Sequence, residues 1–179
     1  MVLDVKVGRG AFMKTLEEAT ALARTMIDIG KGAGREVTVV LSSMDQPLGW
    51  AVGNALEVKE AIATLRGEGP PDFCEHCEVI AAEMLILGHR CASAEEGREM
   101  ARQAIRDGRA LAKFRTLVEA QGGDVRMVDR PELLPQASYV ETIPSPEEDY
   151  IAALDAMVVG MTAVDLGAGR VKKGDPIDH

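Results

Sequence analysis

Val2-Leu3-Asp4-Val5-Lys6-Val7-Gly8-Arg9-Gly10 is the stretch that decides the fold. A short alternating run rich in valine meets two glycines, the pattern of a strand that ends in a tight loop. Thr15 and Glu18 then form a capping box, each side chain satisfying a free backbone donor at a helix start. Leu16, Ala19, Ala23, Met26, Ile27 and Gly30 follow at helical spacing, which predicts a helix over 15–31, stopped by Gly32 and Gly34. Glu36-Val37-Thr38-Val39-Val40-Leu41 is dense in β-branched residues and predicts a second strand. Strand, loop, helix, strand is a βαβ unit, so the fold class is α/β, a parallel or mixed sheet covered by helices.

Outward from this unit the chain reads as mostly helical. Asn54 with Glu57 predicts a helix start, with Val58, Ala61, Ile62 and Leu65 as its apolar stripe. Gly67, Gly69, Pro70 and Pro71 break the chain, and Asp72 is the expected cap of the next helix, whose stripe includes Phe73, Cys77, Ile80 and Met84. Ser93 with Glu96 is a further capping box. Asp107-Gly108 interrupts that helix before residues 109–120, again helical until Gly122-Gly123. From 122 to 148, Pro131, Pro135, Pro144 and Pro146 prevent long elements. This stretch reads as a connector with one short strand near 137–142. Tyr150–Leu154 is expected as another strand, followed by a helix over about 155–166.

Composition narrows the function. The 179 residues carry a formal net charge of −9 and show no basic stripe, which argues against a nucleic-acid partner. No run of about 18 apolar residues suggests a membrane span. The N-terminus lacks the pattern of a signal peptide, and three cysteines do not make a secreted disulfide framework, so the expected location is cytoplasmic. Aromatic residues are only 3%, so the core must be built from Ala, Val, Leu, Ile and Met.

Several constellations could carry chemistry. Gly8-Arg9-Gly10 lies where α/β sheets bind ligands, yet lacks the third glycine of a dinucleotide fingerprint and reads equally as a tight turn. Cys74-Glu75-His76-Cys77 with His89-Arg90-Cys91 has superficial zinc spacing, but its first two cysteines fall inside a helix, where buried thiols are the simpler reading. No nucleophile elbow or oriented thiol is visible, so no catalytic residue is assigned. Met44-Asp45-Gln46-Pro47-Leu48-Gly49-Trp50 puts the single tryptophan in a loop between a strand and a helix, a position common for binding.

Residues 3–13, LDVKVGRGAFM, closely resemble a motif of the pyrimidine nucleoside phosphorylase family, which includes the thymidine phosphorylases. Residues 44–62, MDQPLGWAVGNALEVKEAI, look like the family's most recognisable block in this half of the protein, and Ala120–Asp124, Leu134-Pro135, Gly167–Arg170 and Asp175–Asp178 resemble later landmarks in order. The resemblance implies that 1–125 is part of a large mixed-sheet α/β (glycosyltransferase) domain, 126–148 a connector, and 149–179 the truncated start of a C-terminal α+β domain. It implies a homodimer formed through a small helical domain with no counterpart in this sequence. The implied reaction is reversible phosphorolysis of a pyrimidine nucleoside, with phosphate as co-substrate. Phe12 matches the residue that lines the base pocket. Leu48 and Ala51 match main-chain carbonyls, and Glu60 the carboxylate, that hold a potassium ion. Arg9 replaces a small residue and is expected to face water, with approach to phosphate as its other reading. The family's glycine-rich phosphate loop and its main base-binding residues have no counterpart here, so the chain alone is expected to be inactive and marginally folded. A noncatalytic module that keeps the fold and serves a partner is the alternative.

Overall fold

The computed structural model describes residues 1–170 and 172–177. Strand β1 (Val2–Val7) runs directly into the first glycine turn. Helix α1 (Leu16–Gly32) starts at the predicted capping box: the Thr15 hydroxyl accepts the Glu18 N–H at 3.2 Å, and the Glu18 carboxylate accepts the Thr15 N–H at 3.1 Å. Strand β2 (Thr38–Ser43) lies parallel to β1, with Val2 opposite Thr38 and Val7 opposite Ser43. The expected start at Glu36 is too early. Pairing begins where β1 begins, and the Thr38 N–H already donates to the Met1 carbonyl. Among the described residues the sheet consists of these two strands, and α1 packs across both.

Helix α2 (Asn54–Leu65) departs from expectation at its start. Gly53, with φ of 101°, takes the capping position, and Asn54 is the first helical residue. Only half of a capping box forms, because the Glu57 carboxylate accepts the Gly53 N–H at 2.8 Å with no side chain answering it. Helix α3 (Pro71–Leu87) is likewise not capped by Asp72. Pro70 precedes the helix and Pro71 opens it, where a missing N–H costs nothing and the fixed φ suits the turn. Asp72 is freed to reach elsewhere.

Helix α4 (Ala94–Arg106) begins at Ser93, whose hydroxyl accepts the Glu96 N–H, and packs closely on α3. At Gly97 a Cβ would sit 2.8 Å from the Ala82 backbone, so only glycine allows this approach. Ion pairs stitch the same seam, with Arg98 to Glu75 at 3.1 Å and Arg102 to Glu78 at 2.8 Å. Helix α5 (Arg109–Ala120) follows the Asp107-Gly108 break and touches α2 and α4.

The connector holds a short helix, α6 (Arg126–Asp129), and a 3-10 turn (Pro131–Leu133). Neither expected strand forms. Residues 137–142 and 150–154 run as irregular chain, with Val140 82% and Tyr150 96% exposed. A strand needs a neighbour for its backbone groups, and among the described residues no other segment pairs with either stretch. Helix α7 (Ala156–Ala163) is capped by the Asp155 carboxylate, which accepts the Met157 N–H at 2.9 Å. A π-helical turn (Val164–Ala168) prolongs it to Gly167, whose φ of 95° ends the run.

The core is small. Among the described residues Val5, Ile62 and Val128 are buried, and the other four buried hydrophobic residues are Ala11, Ala19, Ala23 and Ala82. Among the described residues no helix is long and apolar enough to cross a membrane.

Candidate functional site

Two loops leave the carboxyl ends of β1 and β2 and meet there, the usual ligand position on an open α/β sheet. The Gly10 N–H donates to the Met44 carbonyl at 2.8 Å, and the Arg9 N–H to Asp45 Oδ1 at 2.9 Å. That main-chain bond, and then the Ser43 hydroxyl, hold the Asp45 carboxyl below its ordinary range. At Gly10 a Cβ would lie 2.7 Å from the Met44 carbonyl oxygen and 2.8 Å from the Ala156 side chain. Glycine is therefore required where the two loops and α7 come together.

Carboxylates on α2 and α3 shape the tryptophan loop. Glu60 Oε1 accepts the Trp50 and Ala51 N–H groups, each at 2.9 Å. Asp72 Oδ2 accepts the Gly49 N–H at 3.1 Å, and Glu57 holds Gly53 as described above. With its N–H groups drawn toward the helices, the loop leaves oxygen donors uncommitted. Among the described residues, the Leu48 and Ala51 carbonyls and Glu60 Oε2 accept no protein hydrogen bond. Gly49 sits at φ of 73°, and a Cβ there would lie 2.3 Å from Glu60 Oε2.

Leu48, Ala51, Glu57 and Glu60 line a cleft of about 730 Å³ that also takes in Lys6, Phe73 and Val159. The structure thus brings together Leu48, Ala51 and Glu60, three of the four residues singled out by sequence. It does not bring Phe12 to them. Phe12 lies on the loop after β1, 97% exposed and outside the cleft lining. Arg9 is largely exposed, yet it stands between two carboxylates, 4.0 Å from Asp45 and 3.9 Å from Asp155. The Ala156 N–H donates to the Asp45 carbonyl at 3.0 Å, so α7 is pinned beside the same loops and supplies part of the cleft wall.

One group went unread in the sequence. Lys6 Nζ lies 2.7 Å from Asp4 Oδ2 and 3.0 Å from Ser42 Oγ, and Ser42 Oγ donates to Asp4 Oδ1. His76 Nε2, from α3, approaches the same Asp4 Oδ2 at 2.7 Å and Lys6 Nζ at 3.3 Å. Burial by itself would raise the Asp4 carboxyl. Hydrogen bonds from Lys6, Ser42 and His76, with the Lys6 charge, more than offset this and hold it below its ordinary value. The available signal was Asp4 and Lys6 in alternation within an apolar strand, which places both on one face.

Cys74 and Cys77 lie on α3, and burial pushes both thiols up. Among the described residues no cluster of three or more His, Cys, Asp or Glu is placed to hold a metal.

The sheet and its loops fall in a glycosyl transferase family: residues 1–111 match the family model described as the glycosyl transferase family, a/b domain. Residues 150–179 match that of the pyrimidine nucleoside phosphorylase C-terminal domain. The chain belongs to the pyrimidine nucleoside phosphorylase family. It is 51% identical over 178 residues to a pyrimidine-nucleoside phosphorylase of Geobacillus stearothermophilus. It is 49% identical to that of Staphylococcus haemolyticus and 48% identical to that of Staphylococcus epidermidis. Each match covers 99% of this chain and 41% of the relative, so the chain spans about two-fifths of these proteins' length.

Proposed function

We propose that this chain forms part of a cytoplasmic phosphorylase acting on pyrimidine nucleosides. A phosphate oxygen attacks the anomeric carbon, the bond to the pyrimidine nitrogen breaks, and its electron pair leaves with the base. The products are free base and a (deoxy)ribose 1-phosphate. With an oxocarbenium-like transition state, catalysis rests on positioning the phosphate and stabilising charge on the departing base. The carrying observation is the tryptophan loop, held by Glu60 so that the Leu48 and Ala51 carbonyls stay free, in a chain about half identical to proteins named for this activity.

A potassium ion fits this donor set, because two carbonyl oxygens and a carboxylate oxygen are hard ligands without partners among the described residues. Leu48, Ala51 and Glu60 would hold it, and its charge would stiffen the loop. Phe12 would line the base pocket once a nucleoside and the rest of the cleft enclose it. In this reading 1–125 belongs to the central domain, 126–148 is a connector, 149–179 opens the C-terminal domain, and the homodimer forms through a further helical domain.

Residues 1–179, purified alone, should show no turnover of thymidine or uridine with phosphate. Fused behind the upstream part of the Geobacillus stearothermophilus relative, in place of the matching region, it should release uracil from uridine in a phosphate-dependent way. A folded, dimeric chimera with no base release refutes the proposal, and turnover by the chain alone refutes its inactivity.

A further inference from the structure

We infer that Lys6 contacts the substrate by donating a hydrogen bond to a neutral acceptor oxygen of the bound nucleoside, and that His76 is the positioning residue that keeps this donor free. The inference rests on the proposed function for the identity of the ligand and on proton accounting for the rest. An ammonium has three N–H donors. One side of the ammonium is taken up by the ion pair with Asp4 Oδ2 at 2.7 Å, and one N–H is donated to Ser42 Oγ at 3.0 Å.

Among the described residues the remaining hydrogen-bond partner within reach of Nζ is His76 Nε2, at 3.3 Å. That nitrogen also sits 2.7 Å from Asp4 Oδ2, a distance at which an unprotonated nitrogen would set two lone pairs against each other. His76 Nε2 therefore carries hydrogen and donates to Asp4, whether the ring is neutral or charged. A donor cannot accept from Lys6. The third proton is left for the cleft, which Lys6 lines with a third of its side chain exposed.

Charge selects the class of acceptor. Lys6 is already balanced by Asp4, and among the described residues the cleft lining adds the carboxylates of Glu57 and Glu60 with no further Lys or Arg. A dianionic phosphate meets net negative charge here. A sugar hydroxyl or base carbonyl meets a charge-assisted donor set among apolar walls, including Phe73 and Val159.

Two measurements on the 179-residue protein test this. With ¹⁵N-labelled histidine, His76 should give the nitrogen pattern of an Nε2–H ring at neutral pH, and an Nδ1–H pattern overturns the accounting. Uridine titrated into the protein and followed by amide shifts should move Val5, Lys6 and Val7, whereas inorganic phosphate should not. Affinity should fall about tenfold or more in Lys6→Met, the range for a lost hydrogen bond from a charged group. The double variant Asp4→Asn/Lys6→Met, which strands no carboxylate, should lose as much. His76→Phe frees Asp4 to capture the third proton and should weaken uridine several-fold, and His76→Gln, whose amide still donates, should restore it. Unchanged affinity in a folded double variant sinks the role of Lys6 and leaves the proposed function standing. Phosphate shifting the same amides overturns the neutral-ligand assignment. A wild-type spectrum that ignores uridine at every soluble concentration overturns the role of Lys6, and base release by the chimera decides the proposed function separately.

Discussion

Glu60 is the residue whose removal tests the site most directly. Its Oε1 takes two N–H groups, from Trp50 and Ala51, and the other carboxylates on the loop hold Gly49 and Gly53, not these two. Hydrogen bonds to a charged acceptor are each worth roughly 1.5–3 kcal/mol when well enclosed. Glu60 is half-buried and Trp50 is 77% exposed, so about 1–1.5 kcal/mol apiece is the fitting figure here. Glu60→Ala should then lower the local opening free energy of the loop by about 2–3 kcal/mol, which raises exchange at these two amides roughly 30- to 150-fold. Glu60→Gln keeps a carbonyl acceptor without the charge and should fall between. Native-state hydrogen exchange at Trp50 and Ala51 reads this directly, with Val5 as an internal control in the buried strand. Unaltered exchange at the two amides in a folded Glu60→Ala protein would refute the idea that this carboxylate shapes the loop.

The remaining predictions concern the frame around that loop. Asp4→Asn should destabilise the protein at neutral pH, where the folded carboxylate is held below its ordinary value by Lys6, Ser42 and His76 against the opposing effect of burial. Because the folded value is depressed, this contribution is present above the unfolded pKa of about 4 and lost as pH falls through the folded one, so wild-type and variant melting curves should converge in acid. Gly10→Ala drives a methyl into the Met44 carbonyl and Ala156, and should cost about 1–3 kcal/mol in denaturant unfolding while loosening the Ala156 amide. Ile62→Ala removes a fully buried side chain from a core otherwise rich in alanine, and a loss of about 2–5 kcal/mol should leave little cooperative melt by calorimetry. Thr15→Ala removes one half of the α1 capping box and should cost about 0.5–2 kcal/mol, read from helix signal against urea.

Much of the fold was legible because its signals are local. Thr15 and Glu18 sit a fixed three residues apart and cap the same helix whatever surrounds it, and the valine-rich runs had few other conformations to adopt. The failures share a cause. Asn54 and Asp72 are good caps by residue type, but Gly53 and Pro70 took those positions once the tryptophan loop recruited Glu57 and Asp72 as acceptors for its own N–H groups. The start of β2 was set by where β1 begins, a fact carried 36 residues away in the Val2–Thr38 pairing. Residues 137–142 and 150–154 have strand-like composition, yet composition cannot supply the neighbouring strand that hydrogen bonding demands.

The site divides along the same line. Leu48, Ala51 and Glu60 were reachable because they lie on one loop and the helix it enters, so the order of residues nearly fixes their geometry. Asp4, Lys6 and His76 were not, because His76 reaches the strand from α3, some 70 residues on. In the sequence His76 stands between two cysteines and suggests a metal, whereas in the fold α3 turns it toward a carboxylate that already holds a lysine. What a polar side chain on a helix does is decided by the face its helix presents, and that face is chosen by packing: α3 lies on both β1 and β2 and on α4. Ion pairs with Arg98 and Arg102 occupy Glu75 and Glu78 on the α4 side of the helix, and the histidine between them in sequence meets the sheet. A polar residue in a strand at spacing two, with a histidine on a helix known to cover that strand, is the pattern that would have found this group.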